Sequence, residues 1–257
     1  MVKKDKQREN RMKGSLKILM LRNKLIGYLL NVTGFIQVCG HWIYRPYINK
    51  NSIIIDLGAN EGAFSIELYK KYKSHCYAVE PDKNVLNKVI DTNIKKMNYA
   101  LANINGPVNF YTSYNNEASS IIKGFESNWG NKRIDVVEGI TWDSFIDLLN
   151  FKAKRINILK VDIEGSELDL IDTFTFDNLS NIEQITVEFH DWLNVSLHER
   201  TVASIRKLVS LGFIAVTNTP NHSWPLEILF LNKRLIKLNF FQKLLISLYK
   251  RISFLKY

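Results

Sequence analysis

The stretch "SIIIDLGANEGAFSIEL", from Ser52 to Leu68, decides the fold of this chain. A short apolar run leads into Asp56, a loop with glycines at positions 58 and 62 follows, and an amphipathic helical pattern begins after the second glycine. Short apolar runs bounded by turn residues are typical of buried strands. The stretch therefore predicts a buried strand, a tight glycine-containing turn and a helix.

Strand-like and helix-like segments alternate along the rest of the sequence. The β-type runs "HCYAVE", "INILKVDI", "IEQITVEF", "FIAVTN" and "LEILFLN" are separated or preceded by helical patterns at 61–73, 82–97, 141–149, 166–174 and 197–212. Such alternation indicates βαβ units and a mainly parallel sheet flanked by helices. Further β-type runs between residues 107 and 140 predict a small β insertion in this α/β fold.

Charge is unevenly distributed along the 257 residues, whose formal net charge is +10. Residues 1–50 carry a net +9 and residues 231–257 a net +7, which leaves residues 51–230 at −6. We therefore divide the chain into a basic, partly helical N-terminal extension at 1–50, one domain at 51–232 and a basic C-terminal helix at 233–257. An acidic central domain argues against a nucleic-acid partner, whereas basic ends suit an anionic surface such as a membrane.

The sequence predicts a cytoplasmic protein. No run approaches the roughly 18 consecutive apolar residues of a membrane span. The apolar run "ILML" after the basic N-terminal segment is broken at Arg22, Asn23 and Lys24, whereas a secretory signal needs a longer apolar region. The two cysteines, Cys39 and Cys76, have no metal-ligand spacing and fit a reducing compartment. The sequence gives no indication of the oligomeric state.

The tail "LIKLNFFQKLLISLYKRISFLKY" predicts a basic amphipathic helix. An apolar stripe forms at steps of four and three residues, through Phe241, Leu245, Leu248, Ile252 and Leu255. Lysines fall on the opposite side, and the tail contains no acid. Such a helix either packs on the domain through its stripe or lies in a membrane interface. Its all-basic polar face favours the interface, and we predict peripheral binding to the cytoplasmic membrane.

Acidic residues follow the predicted strands at the edge where a ligand would bind. In an open α/β sheet the ligand lies beyond the carboxyl ends of the strands. The predicted strands end at Asp56, Glu80, Asp162, and Glu188 with His190. The sequence therefore predicts a rim of acidic groups along this edge of the sheet.

The loop Gly58-Ala59-Asn60-Glu61-Gly62 differs from the loops that bind phosphates. A dinucleotide fingerprint would place a glycine where Asn60 stands, and Glu61 brings a negative charge to the position of the phosphate. A P-loop is also absent, because no Gly-Lys-Ser/Thr sequence follows. The loop therefore predicts a ligand without phosphates.

S-adenosylmethionine is such a ligand. Asp56 would anchor its ammonium group, directly or through water, and Gly58 would let the backbone approach it closely. The helix N-terminus after Gly62 would offer N–H groups to its carboxylate, and Glu80 would accept hydrogen bonds from its ribose hydroxyls. The alternative interpretation is an ordinary tight turn between strand and helix, with two surface acids.

The order of five motifs resembles the FkbM family of S-adenosylmethionine-dependent methyltransferases. These motifs are "DLGANEGAFS", "VEPD", "ITWDSF", "LKVDIEGSE" and "VEFH", and the resemblance covers about residues 50–232. It implies a class I methyltransferase fold, which is Rossmann-like with a seven-stranded sheet, and O-methylation, often of sugars or secondary metabolites. The cofactor-binding residues that we assign are Asp56, Gly58, Asn60, Gly62, Phe64, Glu80, Asp82 and Ser120, the last in the serine-bearing segment "EASSII".

Methyl transfer to a hydroxyl needs a group that removes the hydroxyl proton. Asp162 and Glu164 share one tight turn, where like charges raise one pKa, which suits a base or a metal ligand. Glu188 and His190 lie two residues apart on a strand and so share a face. These four are the candidate catalytic residues. Glu167 is either part of the site or only an acid at a helix start.

A divalent cation is an alternative at the same rim. Asp162, Glu188 and His190 offer oxygen and imidazole ligands, which suit magnesium and similar cations. Their spacing matches no recognised metal signature. The sequence therefore leaves open whether a metal ion takes part.

The sequence predicts an O-methyltransferase that acts on a hydroxyl of a sugar, in a glycan or a lipid-linked precursor. The alternatives are a methyltransferase with a polyketide, peptide or lipid acceptor, and a non-catalytic, membrane-associated protein that binds the cofactor. His41 and His222 lie beside tryptophans in "GHWIY" and "NHSWP" and would line an acceptor cleft. A nucleic-acid methyltransferase is disfavoured, because the chain lacks an Asn/Asp-Pro-Pro-aromatic block and a Pro-Cys nucleophile.

Overall fold

The computed structural model describes residue 25 and residues 28–252, except for 115–118, 125–129, 192–194 and 218–225. Its strands, numbered along the chain, are β1 (Phe35–Val38), β2 (His41–Tyr44), β3 (Ile53–Leu57), β4 (His75–Val79), β5 (Lys95–Met97), β6 (Ala100–Leu101), β7 (Gly106–Ser113), β8 (Asn131–Ile140), β9 (Ile158–Val161), β10 (Gln184–Phe189), β11 (Phe213–Thr217) and β12 (Leu226–Asn232). Its α-helices are α1 (Ala63–Tyr72), α2 (Lys83–Leu86), α3 (Trp142–Leu148), α4 (Glu167–Thr173), α5 (His198–Ser210) and α6 (Phe240–Ile252).

The main sheet has seven strands in the order β5-β4-β3-β9-β10-β12-β11. The first five of these run parallel to one another, and β12 runs antiparallel to both of its neighbours. Helix α1 packs on β3 and β4, and α5 packs on β11. The predicted α/β fold of the class I methyltransferase type, with a mainly parallel seven-stranded sheet flanked by helices, is confirmed. Its parallel strands bring their carboxyl ends to one edge, which positions the site described below.

Two smaller sheets accompany the main one. Strands β6, β8 and β7 form a three-stranded sheet that corresponds to the predicted β insertion. Strands β1 and β2 form a hairpin that is tied to the main sheet by side chains: the N–H of Trp42 donates to Glu227 Oε1, and the N–H of Tyr44 donates to Gln184 Oε1, each at 2.7 Å. The hairpin therefore lies against β10 and β12, although it comes far earlier in the chain.

The predicted helix at 82–97 is wrong. The structure has only the short helix α2 there and then places β5 at the edge of the main sheet. The side chain of Asp91 accepts a hydrogen bond from the N–H of Asn93 (3.0 Å), and this local turn interrupts the helical pattern. Lys95 and Lys96 are both exposed on β5, so this strand lacks the apolar run from which a strand is predicted.

Apolar side chains pack on both faces of the main sheet. Successive residues of β3 alternate between the two sides, since Ile55 and Leu57 belong to one buried cluster and Ile54 to another. The first cluster also contains Trp142 of α3, and the second contains Phe64 of α1. Helices on both faces therefore keep β3 buried, and the loop that follows it starts from a rigid strand.

The C-terminal helix α6 packs on the domain through part of its surface. Leu245 and Ile246 are buried, and Ile246 shares a cluster with Leu30 and Phe35 near the β1–β2 hairpin. On the same helix Phe240 and Phe241 are 81% and 49% exposed. The stripe predicted from the sequence is thus divided between the domain and the surface.

The rest of the predicted stripe lies outside the described residues, namely Leu255 and the side chains of Leu248 and Ile252. Among the helices that the structure describes, none combines the length and the apolar character needed to cross a bilayer. The domain boundary at residue 232 and the membrane contact of the tail stay predictions.

Candidate active site

A cavity of about 830 Å³ opens where β3, β4 and β9 end. Its wall combines the glycine loop after β3, the residues that follow β4 and β9, and side chains from β2 and β10. The lining residues that the sequence had already singled out for the site are His41, Gly58, Asn60, Phe64, Glu80, Asp82, Asp162, Glu164 and Glu188, whereas His190 is not among the lining residues. The topology therefore brings residues from many separate segments of the chain to one cavity.

Gly58 brings the loop after β3 into backbone contact with the end of β9. Its φ is +72°, in the left-handed region, and a Cβ atom there would overlap the carbonyl oxygen of Asp162 and lie 2.8 Å from the carbonyl carbon. A side chain at this position would push the two segments apart. The close contact at Gly58 is made to Asp162, and it fixes the distance between the glycine loop and the acidic turn. The predicted approach of Gly58 to the cofactor stays a prediction.

Glu80 lies at the end of β4 with its carboxylate held by two backbone groups. The N–H of Asn60 donates to Oε2 (3.1 Å), and the N–H of Asp82 donates to Oε1 (2.9 Å). Burial raises the pKa of Glu80 to about 7, although these two hydrogen bonds oppose the shift. Each carboxylate oxygen can accept a second hydrogen bond, so a buried carboxylate is presented to the cavity with capacity for further donors.

Asp56 lies below the cavity and is paired with Lys160. Its carboxylate is fully buried, accepts a hydrogen bond from Ser65 Oγ (2.8 Å) and lies 3.2 Å from Lys160 Nζ. The same ammonium lies 3.1 Å from Asp162 Oδ2 and donates to the carbonyl oxygen of Gly58 (2.9 Å). Lys160 therefore ties β3, the glycine loop and the end of β9 together. Asp56 is not among the cavity-lining residues, so its direct contact with a cofactor stays a prediction.

Lys160 and Asp162 hold each other in the charged state. Burial alone would lower the pKa of Lys160, but Asp162 and Asp56 raise it above its ordinary value. Burial alone would raise the pKa of Asp162, but Lys160 and His41 hold it well below its usual range. Asp162 is therefore a fixed negative charge on the cavity wall at neutral pH.

His190 lies among four carboxylates. Its Nδ1 is 3.0 Å from Glu167 Oε1, and its Nε2 is 3.2 Å from Glu164 Oε2, 3.7 Å from Glu188 Oε1 and 3.9 Å from Asp162 Oδ1. Burial would lower its pKa, but the surrounding carboxylates, Glu167 first, raise it to about 10. The imidazole is then protonated at neutral pH. This favours a role as the positive partner of the acids, and the predicted role of His190 as a base remains untested.

The turn after β9 is built by buried hydrogen bonds. Glu167 is buried, and its Oε1 accepts from the N–H groups of Ile163 (3.1 Å) and Gly165 (3.0 Å). Glu164 has a φ of +52°, which is rare outside glycine, and its carbonyl oxygen accepts from Ser120 Oγ (2.6 Å). Glu167 is therefore more than an acid at a helix start, and Ser120 supports the turn from beside the cavity.

Glu164 and Glu188 are the two rim acids whose protonation is shifted towards neutral pH. Burial is the main cause for both, and it raises the pKa of Glu164 to about 8 and that of Glu188 to about 7. The negative charge of Asp162 adds to both shifts, and His190 opposes them. Both side chains line the cavity, so the wall offers two carboxyl groups that can exchange a proton near pH 7.

His41 enters the site from the β1–β2 hairpin. It is 2% exposed and stands edge-on to Phe64, with ring centroids 5.6 Å apart. Its Nε2 lies 3.5 Å from Asp162 Oδ2, and its Nδ1 lies 3.4 Å from Glu227 Oε1. Burial lowers its pKa. The sequence predicts that His41 lines a cleft, but it does not predict that His41 lies beside Asp162. His222 lies outside the described residues.

Residues 56–213, more than half of the chain, match the family profile described as Methyltransferase FkbM domain. The chain belongs to the FkbM methyltransferase family. The family resemblance noted from five sequence motifs is thus confirmed. Among curated proteins, no match to this FkbM methyltransferase is found.

Two solved structures are similar to this FkbM methyltransferase. Methyltransferase FkbM from Methylobacillus flagellatus KT shares 16% sequence identity, with a TM-score of 0.45, over 72% of this chain and 44% of the other. TrmK of M. capricolum, solved in complex with the cofactor product S-adenosyl-homocysteine, shares 14% identity, with a TM-score of 0.36, over 78% of this chain and 70% of the other. The chain thus spans less than half the length of the Methylobacillus protein.

The site of this FkbM methyltransferase extends beyond the family match. Residues 56–213 include the glycine loop and the rim acids, whereas His41 and Glu227 lie outside them.

The structure groups the possible metal ligands differently from the predicted set of Asp162, Glu188 and His190. Among the residues that the structure describes, two sets of side chains could hold a cation, with their ligand atoms within 4.8 Å of one another. One set is His41, Asp162 and Glu188, and the other is Asp162, Glu164 and His190. Of the remaining predicted cofactor residues, Gly62 and Ser120 are buried and are not among the lining residues.

Proposed function

We propose that this protein binds S-adenosylmethionine in the cavity and transfers its methyl group to a hydroxyl of a sugar, in a glycan or a lipid-linked precursor. The observation that carries the proposal is the position of Glu80. Its carboxylate ends β4, faces the cavity and is fixed by the N–H of Asn60 from the glycine loop. A carboxylate at this point of a Rossmann-like sheet accepts hydrogen bonds from the two hydroxyls of a ribose.

The residues present fit this cofactor. Glu80 would hold the ribose, and Gly58 with Asn60 would border the methionine part. Leu101 and Phe110 line the same cavity and offer apolar surface to a purine ring. The volume of about 830 Å³ lies in the range of small-molecule sites. No Lys or Arg follows the glycine loop at the phosphate position of a P-loop, which fits a ligand without phosphates.

Bound S-adenosylmethionine supplies an electrophilic methyl group on its sulfonium sulfur. The protein then has to hold the acceptor oxygen in line with that methyl group and take up the hydroxyl proton. Glu164 and Glu188 suit this second task, because they line the cavity and their pKa values lie near neutrality. Asp162, kept ionised by Lys160, would orient the hydroxyl by accepting its hydrogen bond.

The charge of the cavity wall supports a sugar hydroxyl as the acceptor. Asp162, Glu164 and Glu188 are acceptors of hydrogen bonds from hydroxyl groups when ionised, and they repel phosphate groups. A polyol without a phosphate beside the reacting hydroxyl is therefore favoured over a nucleic acid. This agrees with the net negative charge of the central domain.

Helix α6 supports a peripheral contact with an anionic membrane, where lipid-linked acceptors are found. Phe240, Phe241 and Leu244 are exposed near the start of this helix, and Lys243 lies among them. Exposed aromatic and aliphatic side chains beside a lysine are typical of helices that lie in a membrane interface. We therefore include membrane association in the proposed function.

The proposal is tested with S-adenosylmethionine that carries a labelled methyl group. The protein is mixed with fractionated glycans and lipids, and labelled products are identified by mass. We expect the label on an ether oxygen of a sugar, and none with the Glu80→Ala variant. Label on a polyketide, a peptide or a phosphate-containing acceptor would contradict the sugar assignment. Cofactor binding without any transfer would instead favour a non-catalytic protein.

A further inference from the structure

Three side chains from three different strands or strand ends meet on one wall of the cavity. His41 comes from β2, Asp162 follows β9 and Glu188 comes from β10, and all three line the cavity. Each offers one nitrogen or oxygen atom, and these three atoms lie within 4.8 Å of one another. Metal–ligand distances of about 2.0–2.5 Å place the ligands of one cation roughly 3–5 Å apart. The separations therefore suit a single bound cation.

The hydrogen bonding of His41 is incomplete. Its side chain is almost fully buried, yet Nδ1 has no hydrogen-bond partner among the described residues. Nε2 lies 3.5 Å from Asp162 Oδ2, which is longer than an ordinary hydrogen bond. Nδ1 lies 3.4 Å from Glu227 Oε1, so Glu227 is the carboxylate that this nitrogen faces, and Nε2 is the nitrogen on the side of Asp162. A cation bound by Nε2 and by the carboxylates of Asp162 and Glu188 would replace this long contact, while the N–H on Nδ1 would point towards Glu227, as the second nitrogen of a metal-binding histidine usually does towards a carboxylate.

Acidic side chains outnumber basic ones around this wall. Among the described residues, the side chains that interact there include two basic partners, Lys160 and His190. The carboxylates around them are Asp56, Asp162, Glu164, Glu167, Glu188 and Glu227. Buried like charges are costly unless a counter-charge is present. A divalent cation would provide that counter-charge at the place where the acids converge.

We propose that His41, Asp162 and Glu188 bind one divalent cation. Imidazole and carboxylate ligands suit magnesium, manganese and zinc. A cation held by three protein ligands keeps coordination positions open, and an oxygen of the acceptor hydroxyl would occupy one of them. Coordination would lower the pKa of that hydroxyl, and with Glu188 bound to the cation, Glu164 would take up its proton. This catalytic role rests on the proposed function, whereas the binding of the cation does not.

The second set of metal-ligating atoms, Asp162, Glu164 and His190, is less suited to a cation. Both ring nitrogens of His190 are already within 3.2 Å of a carboxylate, Nδ1 of Glu167 and Nε2 of Glu164. A metal would have to displace one of these contacts. At His41, by contrast, both nitrogen contacts are 3.4 Å or longer. The geometry therefore favours the site on the hairpin side.

The test measures manganese binding to the full chain. The protein is stripped with a chelator, dialysed and titrated with Mn²⁺ alone, and free Mn²⁺ is followed by electron paramagnetic resonance. We expect one Mn²⁺ per chain, with an affinity at least tenfold lower in His41→Gln and in Glu188→Gln. His198→Gln is the matched control, because His198 lies on α5 and pairs with Asp191 away from the cavity. Its affinity should equal that of the unmodified protein.

Folding and cofactor binding are measured on the same samples. Thermal unfolding shows whether each variant is folded. If His41→Gln does not fold, Glu188→Gln still tests the cation site. Calorimetry with S-adenosylmethionine tests cofactor binding, and thus the proposed function, separately from the cation site. The cofactor and the cation can each bind without the other. Absence of Mn²⁺ binding in the unmodified protein would overturn the cation site. So would full affinity in folded His41→Gln, or a loss confined to His190→Gln.

Discussion

The backbone of Gly58 and the carbonyl group of Asp162 are in such close contact that a Cβ atom on Gly58 would overlap the carbonyl oxygen. We predict that Gly58→Ala destabilises the protein by more than about 3 kcal/mol, since the collision adds to the cost of a non-glycine residue at positive φ. Chemical unfolding measures this difference. Because the collision also moves the glycine loop, binding of S-adenosylmethionine should be lost.

The matched control for this variant is Gly212→Ala. Gly212 also has a positive φ, of +103°, but a Cβ atom there meets no atom within 4 Å. The Gly212→Ala substitution should therefore lower folding stability only by the backbone strain, about 1–3 kcal/mol. Cofactor binding should be unchanged. Equal destabilisation by both alanine variants would show that the contact between Gly58 and Asp162 is unimportant.

Lys160 neutralises two carboxylates, Asp56 and Asp162, inside the protein. We expect Lys160→Met to destabilise the fold by about 3–5 kcal/mol, because removal of one member of a buried ion pair leaves the other charge uncompensated. Lys152→Met is the control, since Lys152 and Asp147 form an exposed ion pair that contributes about 0–1 kcal/mol. Urea unfolding of both variants checks the contrast, and equal midpoints would refute it.

The carboxylate of Glu80 is the proposed anchor of the ribose. A hydrogen bond to a charged group contributes about 1.5–3 kcal/mol, so Glu80→Ala should weaken S-adenosylmethionine binding about ten- to a hundredfold. Isothermal titration calorimetry measures the affinity. The control is Glu199→Ala, an exposed acid on α5 that is not among the cavity-lining residues, and its affinity should equal that of the unmodified protein. A folded Glu80→Ala protein with normal affinity would exclude the ribose contact.

Glu80 should also make folding stability depend on pH. Burial raises its pKa from 4.5 to about 7 in the folded state, so the folded protein favours the protonated form. As the pH rises from about 4.5 to 7, the unfolded chain ionises first and the folded state loses up to about 3 kcal/mol. The side chain of Glu80→Gln does not titrate, so this variant does not lose stability in this way as the pH rises. Urea unfolding at both pH values should therefore show that the variant gains relative stability with rising pH, whereas a constant difference would contradict the prediction.

Exposed aromatic residues on α6 provide a test of membrane association. We predict that the full-length protein co-sediments with anionic liposomes and that high salt releases it. The double substitution Phe240→Ser and Phe241→Ser should weaken co-sedimentation at least tenfold and lower thermal stability only slightly, because Phe240 is 81% and Phe241 49% exposed. Ile90→Ser, at another exposed site, is the control. Undiminished binding of the double variant would assign α6 a purely structural role.

Truncation at residue 232, the predicted end of the domain, would not test membrane association alone. It would remove Ile236, Leu238, Leu245 and Ile246, all of which are buried against the domain. Burial of an aliphatic side chain contributes about 1.5–3 kcal/mol, so the shortened chain would lose stability together with any membrane contact. Surface substitutions separate the two effects.

The sequence was sufficient to predict the main sheet because its central strands are apolar and end in acids. It failed at β5, where two exposed lysines and a three-residue length leave no apolar pattern. The rim acids Asp162 and Glu188 could be placed together, since parallel strands end at a common edge. Lys160 offered a signal that was not used, namely a charged residue within the apolar run "INILKVD".

The place of His41 in the site could not be predicted from local pattern. Its hairpin looks like any pair of short strands joined at Cys39 and Gly40, both of which have positive φ. The hairpin reaches the site because side chains of Gln184 and Glu227 bind its backbone. Contacts between residues so far apart in the chain leave no periodic trace in the sequence.

The hydrogen bond from Trp42 to Glu227 spans 185 positions of the chain. During synthesis the hairpin emerges early, but the glutamate that fixes it is added only after β10 and β11 have been made. Contacts of this sequence separation form late, because a long loop must close before they stabilise anything. The wall that carries His41 therefore closes only after residue 227 has left the ribosome, so that a shorter nascent chain cannot present a finished site.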